Sequence, residues 1–202
     1  MLIKSFVTDI FGSNLYIVSQ NNSAIIIDSS GSANFYQKVQ DYIDNNGLDL
    51  KAVLLTHGHF DHIALGHLYQ GKTPIYIHKA DSHMLYTDKN YAKMFRYAVK
   101  PFKADVLLEG DEQLDFGGIK VQVIHTPGHS PGSVCYVIDN NIFSGDTLFQ
   151  GDIGRTDLEG GDYDQIIQSI QKLFLLKGDY NVYPGHGEPT TLRYEQKNNP
   201  YV

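Results

Sequence analysis

With 202 residues, 42% hydrophobic and 19% charged, the chain is long enough to bury a substantial core, as one large domain or two small ones. Its 16 basic and 23 acidic residues give a net charge of −7, and no Lys/Arg run occurs, which argues against a nucleic-acid partner. The lone Cys135 excludes an intrachain disulfide, no apolar stretch approaches the roughly 18 residues of a membrane span, and the opening MLIKSFVTDIFG lacks a signal-peptide pattern, so a cytoplasmic protein with no membrane partner is expected.

In chain order, LIKSFVTDI (2–10), NLYIVSQ (14–20) and SAIIIDSS (23–30) read as strands separated by the turn-prone FGSN and QNN. Phe35, Val39, Tyr42 and Ile43 recur at i, i+4, i+7 and i+8, the apolar stripe of a helix that Gly47 ends. KAVLL (51–55) reads as a buried strand, a second helix starts near Asp61, and PIYIH (74–78) is a short strand. In the second half IKVQVIH (119–125), SVCYVI (133–138) and NIFSG (141–145) are strands. Ile166, Ile170 and Phe174, with Ile167 and Leu173 beside them, then mark a helix from near Asp162, and NVYP (181–184) is a last strand. The repeated order predicts two similar β-rich halves packed as one domain over 1–202: an α/β sandwich, two sheets face to face with helices outside. Cys135 reads as a buried strand thiol. The NNPYV tail reads as either disordered or an interface strand, and the oligomeric state stays open.

The polar residues that come after these strands share one chemistry. THGHFDH puts His57, His59, Asp61 and His62 directly behind KAVLL, and His129, Asp146 and His186 come after later strands, each beside a glycine. Imidazole and carboxylate suit zinc, iron or manganese, and thiolate is absent from the set. Seven groups exceed what one tetrahedral ion uses. Two ions about 3.5–4 Å apart, with a carboxylate and a solvent-derived hydroxide between them, would use them. In an extended loop His57 and His59 project to one side, while Asp61 and His62 lie where the chain turns into a helix, able to face a second ion. The expected cofactors are two divalent transition-metal ions, zinc first, with iron or manganese as alternatives.

THGHFDH, TPGHSPGS, SGDTLF and PGHG, in this succession, resemble the motifs of the metallo-β-lactamase fold superfamily, over a span from Asp28 to His186. The resemblance implies an αββα sandwich of two packed mixed β-sheets with outer helices and metals at one edge. It implies that His57, His59 and His129 hold a first metal, that Asp61, His62 and His186 hold a second, and that Asp146 bridges. Asp28, ending IIID, matches the early acidic motif, and by that likeness orients the metal loop through hydrogen bonds. His67, His78, His83 and His125 match no ligand motif.

Within the superfamily, His62 after Asp61 and Asp146 in place of a cysteine argue against the typical antibiotic-hydrolysing branch. His59 argues against the diiron flavoprotein branch, and an acidic chain of this size offers neither the extra domains nor the basic exosites of the nucleases. SGDTLFQGDIGRTDLEGGD is most similar to small glyoxalase II-like hydrolases, including their segment with Arg155 and Asp157. That likeness implies a small-molecule substrate, a hydroxyacyl thioester of glutathione or another thiol, cleaved by a bridging hydroxide. Asp61 and Asp146 are the candidate catalytic carboxylates, orienting the hydroxide or accepting a proton.

Larger glyoxalase II enzymes carry a helical extension that contacts glutathione, whereas 202 − 186 = 16 residues follow His186 here. Residues 86–103, where Tyr86, Tyr91, Tyr97 and Phe102 mix with Lys93, Arg96, Lys100 and Lys103, read either as a substrate grip or as a helix with a solvated basic face. Arg155 reads as paired with Asp157 in preference to touching substrate. Two other functions compete: persulfide oxidation by a mononuclear iron site, as in the sulfur dioxygenases of the superfamily, and a non-catalytic metal-binding module.

Overall fold

The computed structural model describes residues 1–202. Strands β1 (Leu2–Val7), β2 (Asn14–Gln20) and β3 (Ser23–Ile27) run antiparallel. Helix α1 (Ala33–Asn45) then crosses over to β4 (Asp49–Leu54), which lies parallel to β3, and β5 (Ile75–His78) and β6 (Val106–Leu108) add in parallel to complete a six-stranded sheet. One-turn α2 (Phe60–Ile63) lies between β4 and β5. The second half repeats the scheme. Strands β7 (Gln113–Phe116), β8 (Ile119–His125), β9 (Val134–Ile138) and β10 (Asn141–Gly145) are antiparallel neighbours. The small hairpin β11 (Leu148–Phe149) with β12 (Asp152–Ile153) comes next. Helix α3 (Tyr163–Phe174) then crosses to β13 (Asn181–Pro184), parallel to β10, before edge strand β14 (Thr190–Thr191) and helix α4 (Leu192–Asn198).

The period-2 alternation of the strands builds the layers. Tyr16, Val18, Ile25, Ile27 and Leu54 point one way and meet Val121, Val123, Val134, Tyr136 and Phe143 of the other sheet. Leu15, Ile17, Ala24, Ile26 and Val53 point the other way and take the Phe35, Val39 and Ile43 stripe of α1. Ile124, Cys135, Val137 and Val182 take Ile166, Ile170 and Leu173 of α3 in the same manner. The result is the expected αββα sandwich of two mixed sheets. IIID reads as continuously apolar because β3 is covered on both faces. Both crossover helices have their caps: Ser32 Oγ accepts from Phe35 N–H, and Asp162 from Gln165 N–H.

Several expectations are corrected. The first strand stops at Val7 rather than Ile10, and the third stops at Ile27, because Asp28 takes φ 61° and turns the chain. The helix from Asp61 is a single turn. The Ser29 N–H takes the His62 carbonyl (2.8 Å) and the Ser29 carbonyl takes the Leu65 N–H (2.7 Å), so the helical ladder cannot continue. Residues 86–103 are not helical: the 3₁₀ turns Ser82–Tyr86 and Asp88–Asn90 lead into turns with Tyr91 (φ 64°) and Arg96 (φ 62°) left-handed. Strands β6 and β7 and helix α4 carried no reading in the sequence. At the start of the NNPYV tail Asn198 ends α4, and buried Asn199 donates to the Asp152 carbonyl (3.1 Å). No helix is long and apolar enough to cross a membrane.

Cys135 is fully buried in β9, and burial pushes its thiol up to about 11. At pH 8 about one part in a thousand is thiolate, behind a closed core. Iodoacetamide at pH 8 is expected to leave the native protein unlabelled and to add one carbamidomethyl group after denaturation. Rapid native labelling by mass spectrometry would contradict the core placement.

Candidate metal centre

Four strand ends deliver the donors to one edge of the sandwich. After β4 the chain runs extended through His57 and His59, and α2 opens with Asp61 and His62 in its single turn. His129 follows β8, Asp146 directly follows β10, and His186 follows β13. The approach is close enough to require glycine. A Cβ on Gly185 would lie 2.1 Å from Asp146 Oδ1 and 2.8 Å from His62 Cε1.

All seven residues named from the sequence come together. His57, His59 and His129 form one group, Asp61, His62 and His186 a second, and His57, His62 and Asp146 a third that joins them, the facing atoms of each lying within 4.8 Å. His59 Nδ1 is 2.8 Å from His129 Nε2, and His62 Nε2 is 3.2 Å from His186 Nε2. Asp61 Oδ2 lies 3.2 Å from His186 Nε2. The Asp146 carboxylate reaches both groups, with Oδ1 3.4 Å from His62 Nε2 and Oδ2 3.6 Å from His129 Nε2 and from His186 Nε2. Buried His57 Nε2 and Asp146 Oδ1 have no hydrogen-bond partner. Such atoms are costly unless something else binds them. Imidazole nitrogens and carboxylates converging in this way fit transition-metal ions.

The ring orientations have causes. Thr56 donates from N–H (2.8 Å) and from Oγ1 (3.0 Å) to Asp28, and its hydroxyl is left to accept from His57 Nδ1 at 3.0 Å. His62 Nδ1 donates to Asp28 Oδ2 at 2.8 Å, and His129 Nδ1 to the Arg155 carbonyl at 2.8 Å. With those nitrogens occupied, the Nε2 atoms of His57, His62 and His129 face the cluster. Asp28 therefore orients the loop as expected. The sequence reading missed Asp81, whose buried carboxylate accepts from Gly58 N–H (2.9 Å), Gly132 N–H (2.7 Å) and Ser130 Oγ (2.6 Å), tying the His57–His62 loop to the His129 loop. It too comes after a strand end, β5, the same signal that marked the other donors.

The remaining candidates lie elsewhere. His78 and His125 stack on each other (centroids 4.1 Å) and bond the Glu109 and Pro131 carbonyls. His67 faces the Ala64 carbonyl, and His83 lies in a 3₁₀ turn. Arg155 makes a two-pronged pair with Asp157, both contacts 2.7 Å. Beside the donors opens a cleft of about 250 Å³, walled by Phe11, Phe60, Tyr91, Phe95 and Leu158 with Arg155 at its rim. Of residues 86–103 it is Tyr91 and Phe95 that line this cleft, whereas Lys93, Arg96, Lys100 and Lys103 do not.

Burial, then the neighbouring imidazoles, hold His57 well below its usual value. Burial and His129 do the same to His59. His62 is raised to about 10: burial opposes its charge, but Asp146, Asp61 and Asp28 together prevail. Burial also opposes the charge of Asp61, yet His62 and His186 hold that carboxyl far below the carboxylate range.

A family model described as the metallo-beta-lactamase superfamily matches residues 8–186. The probable metallo-hydrolase YqgX of Bacillus subtilis is 39% identical over 94% of this chain and 92% of its own length. The hydroxyacylglutathione hydrolase GloC of Haemophilus influenzae is 33% identical over 92% and 90%. Among solved structures, the BLEG-1 B3 metallo-beta-lactamase superposes with TM-score 0.92 at 34% identity, covering 99% of both chains. The di-iron-bound TTHA1623 superposes with TM-score 0.88 at 33% identity, covering 98% of this chain and 100% of that one.

The opposed histidine shifts set a pH profile for protein stripped of metal. His57 and His59, lowered in the fold, weaken it as pH falls below the ordinary 6.5. His62, raised in the fold, contributes fully below 6.5, and that contribution is lost as pH rises through about 10. Thermal unfolding in strong chelator is therefore expected to show a maximum near pH 6.5 and a fall toward pH 10. Asp28→Asn, which removes one of the three carboxylates, should lower the maximum and flatten the alkaline fall. A profile indifferent to pH between 6.5 and 10 is the contrary result.

Proposed function

The chain belongs to the metallo-β-lactamase superfamily, and from that premise we propose that it hydrolyses hydroxyacyl thioesters with two divalent transition-metal ions held in the cluster. What carries the reading is Asp146, whose two oxygens reach the two three-residue groups at 3.4 and 3.6 Å. His57, His59 and His129 would hold one ion, Asp61, His62 and His186 the other, with Asp146 shared. Zinc is the first candidate; the 33%-identical di-iron structure makes iron the second.

When bound, two such ions supply an electrophile for the acyl oxygen and make water nucleophilic at neutral pH. The chain's residues do the rest. Asp61 stays ionised because His62 and His186 hold its carboxyl low, so it orients water through a hydrogen bond and is a poor proton acceptor. Asp146 is the second carboxylate facing the same space. Phe60, Phe95 and Leu158 keep bulk solvent from one side of the cleft. Water's oxygen bonds to the acyl carbon as its proton passes to solvent, and the C–S bond breaks with its electron pair on sulfur. A hydroxy acid and a thiolate leave, the thiolate taking a proton from solvent as the pH allows. A thiolate is a good leaving group and departs without a general acid. The GloC relative, a hydroxyacylglutathione hydrolase, supports this substrate class. β-Lactam hydrolysis is the second reading, favoured by the likeness to a B3 metallo-beta-lactamase.

Metal analysis beside a hydrolysis assay on S-lactoylglutathione and a β-lactam tests both. Close to two ions per chain, faster thioester cleavage and no oxygen uptake with a glutathione persulfide are expected. His186→Ala should lose about one ion. Asp146→Asn keeps the shape but loses the charge, and should lower kcat by about a hundredfold or more. An Asp146→Asn protein with two tightly bound ions and near-normal kcat would falsify the shared-carboxylate role, and faster β-lactam cleavage would reverse the substrate order.

A further inference from the structure

Phe11 stands at the cleft in a conformation the core does not need. It has φ 54°, a left-handed backbone rare for a side chain of this size, and is 53% exposed. Its turn, between β1 and β2, is stitched on both sides. Thr8 N–H donates to the Ser13 carbonyl at 2.8 Å, their hydroxyls meet at 2.8 Å, and Ser13 Oγ donates to the Asp61 carbonyl at 2.7 Å. The turn is thereby tied to the donor loop itself. Around the Phe11 ring stand Phe60 (centroids 5.4 Å), Phe95 (5.2 Å) and Tyr97 (5.7 Å), all edge to face. Tyr91 lies against the His59 ring (5.3 Å) and is fixed by its hydroxyl, which donates to the Glu159 carbonyl at 3.0 Å. Ile10, Phe60 and Ala92 form the buried floor of this cluster, separate from the three large cores.

Strained backbone and an exposed ring both cost free energy, and such features persist where a ligand uses them. The charges of the cleft point the same way. Arg155 is its one Lys or Arg, and Asp157 takes the Nε and Nη2 edge of that guanidinium. Lys89 is paired with Glu159 and Lys93 with Asp88, outside the cleft. The lining thus offers rings, imidazoles and carboxylates, and its one guanidinium is already paired with Asp157 in place of the carboxylates of a glutathione tail.

Resting on the thioester reading above, we propose that the Phe11–Phe95–Tyr91 wall selects substrates with an apolar, ring-sized group beside the scissile bond, and that a glutathione tail is tolerated without being gripped. The group belongs to the acyl part or to the thiol part, and two assay arms separate them. The acyl arm compares S-mandeloylglutathione with S-lactoylglutathione; the thiol arm compares the lactoyl thioesters of benzyl mercaptan and glutathione. With metal-loaded enzyme, kcat/KM should favour the ring-bearing member by about tenfold or more in one arm, mainly through KM. Phe11→Ala, at an exposed position, should bring that ratio close to one, and Phe11→Trp should retain it. Calorimetry of mandelate against lactate, and of benzyl mercaptan against mercaptoethanol, reads the same preference without turnover. If no thioester is cleaved but a ring-bearing ligand binds about tenfold tighter and Phe11→Ala abolishes the difference, the thioester reading fails and the wall stands. Ratios near one in both arms and in calorimetry, or a ratio that Phe11→Ala leaves intact, overturn the proposal.

Discussion

Five imidazoles and two carboxylates crowd into one largely dry edge of the sandwich, and much of the chain's irregular backbone answers to that crowding. A buried imidazole with one nitrogen directed at its neighbours is unfavourable by itself, and the rings of His57, His62 and His129 are held from behind. Asp28 holds His62 directly and His57 through Thr56, at distances of 2.8 and 3.0 Å. Its own φ of 61° is the strain that places the carboxylate there. Ser29, next in sequence, clips α2 to one turn, so that Asp61 and His62 face the cluster and do not continue a helix away from it.

Parallel pairing explains why residues so distant in sequence meet. Ile27 stands beside Leu54 where β3 and β4 end, so Asp28 and Thr56, just beyond those ends, emerge side by side. Gly145 stands beside Pro184 at the ends of β10 and β13, which brings Asp146 to Gly185 and His186. Each pair is the product of a helical crossover, α1 in the first half and α3 in the second, and in α/β folds such carboxyl ends of parallel strands are where sites form. The sandwich brings the two pairs to one edge, and Asp81 pins the loops after β4 and β8 to each other.

The sequence displayed those parts whose signal is local and periodic. Alternation and short apolar runs marked nine of the strands, a 3.6-residue stripe marked α1 and α3, and donors placed just after strands marked the seven cluster residues. It hid what depends on partners elsewhere. The length of α2 is set by Ser29, and β6 and β7, at three and four residues, are too short to display a period. Asp81 stands alone among polar residues and carries no motif; its role exists only where Gly58 and Gly132 converge on it. The turn-prone FGSN was legible, but the start of the turn was not: Thr8–Ile10 keeps a strand-like pattern, while the hydroxyls of Thr8 and Ser13 close the turn from Thr8 onward.

The stretch 86–103 carries the last lesson, because its composition and its geometry speak differently. Its lysines and arginine suggested an electrostatic grip. An ammonium keeps its hydration by pointing outward, however, and a lysine stem offers no cheap way to bury the charge beside an already crowded centre. The rings can be buried at little cost, and they are what the turns at Tyr91 and Arg96 aim inward: Phe95 stacks on Phe60 at 5.5 Å, and Tyr91 meets His59. The same segment that looks cationic in sequence therefore presents an apolar face to the cleft. Charge in the cleft is left to Asp61, Asp146, the Asp157-paired Arg155 and whatever ions the cluster holds. The arrangement divides the labour: the strand ends govern the reacting atoms, while the turns at Phe11 and Tyr91 govern the shape of what reaches them.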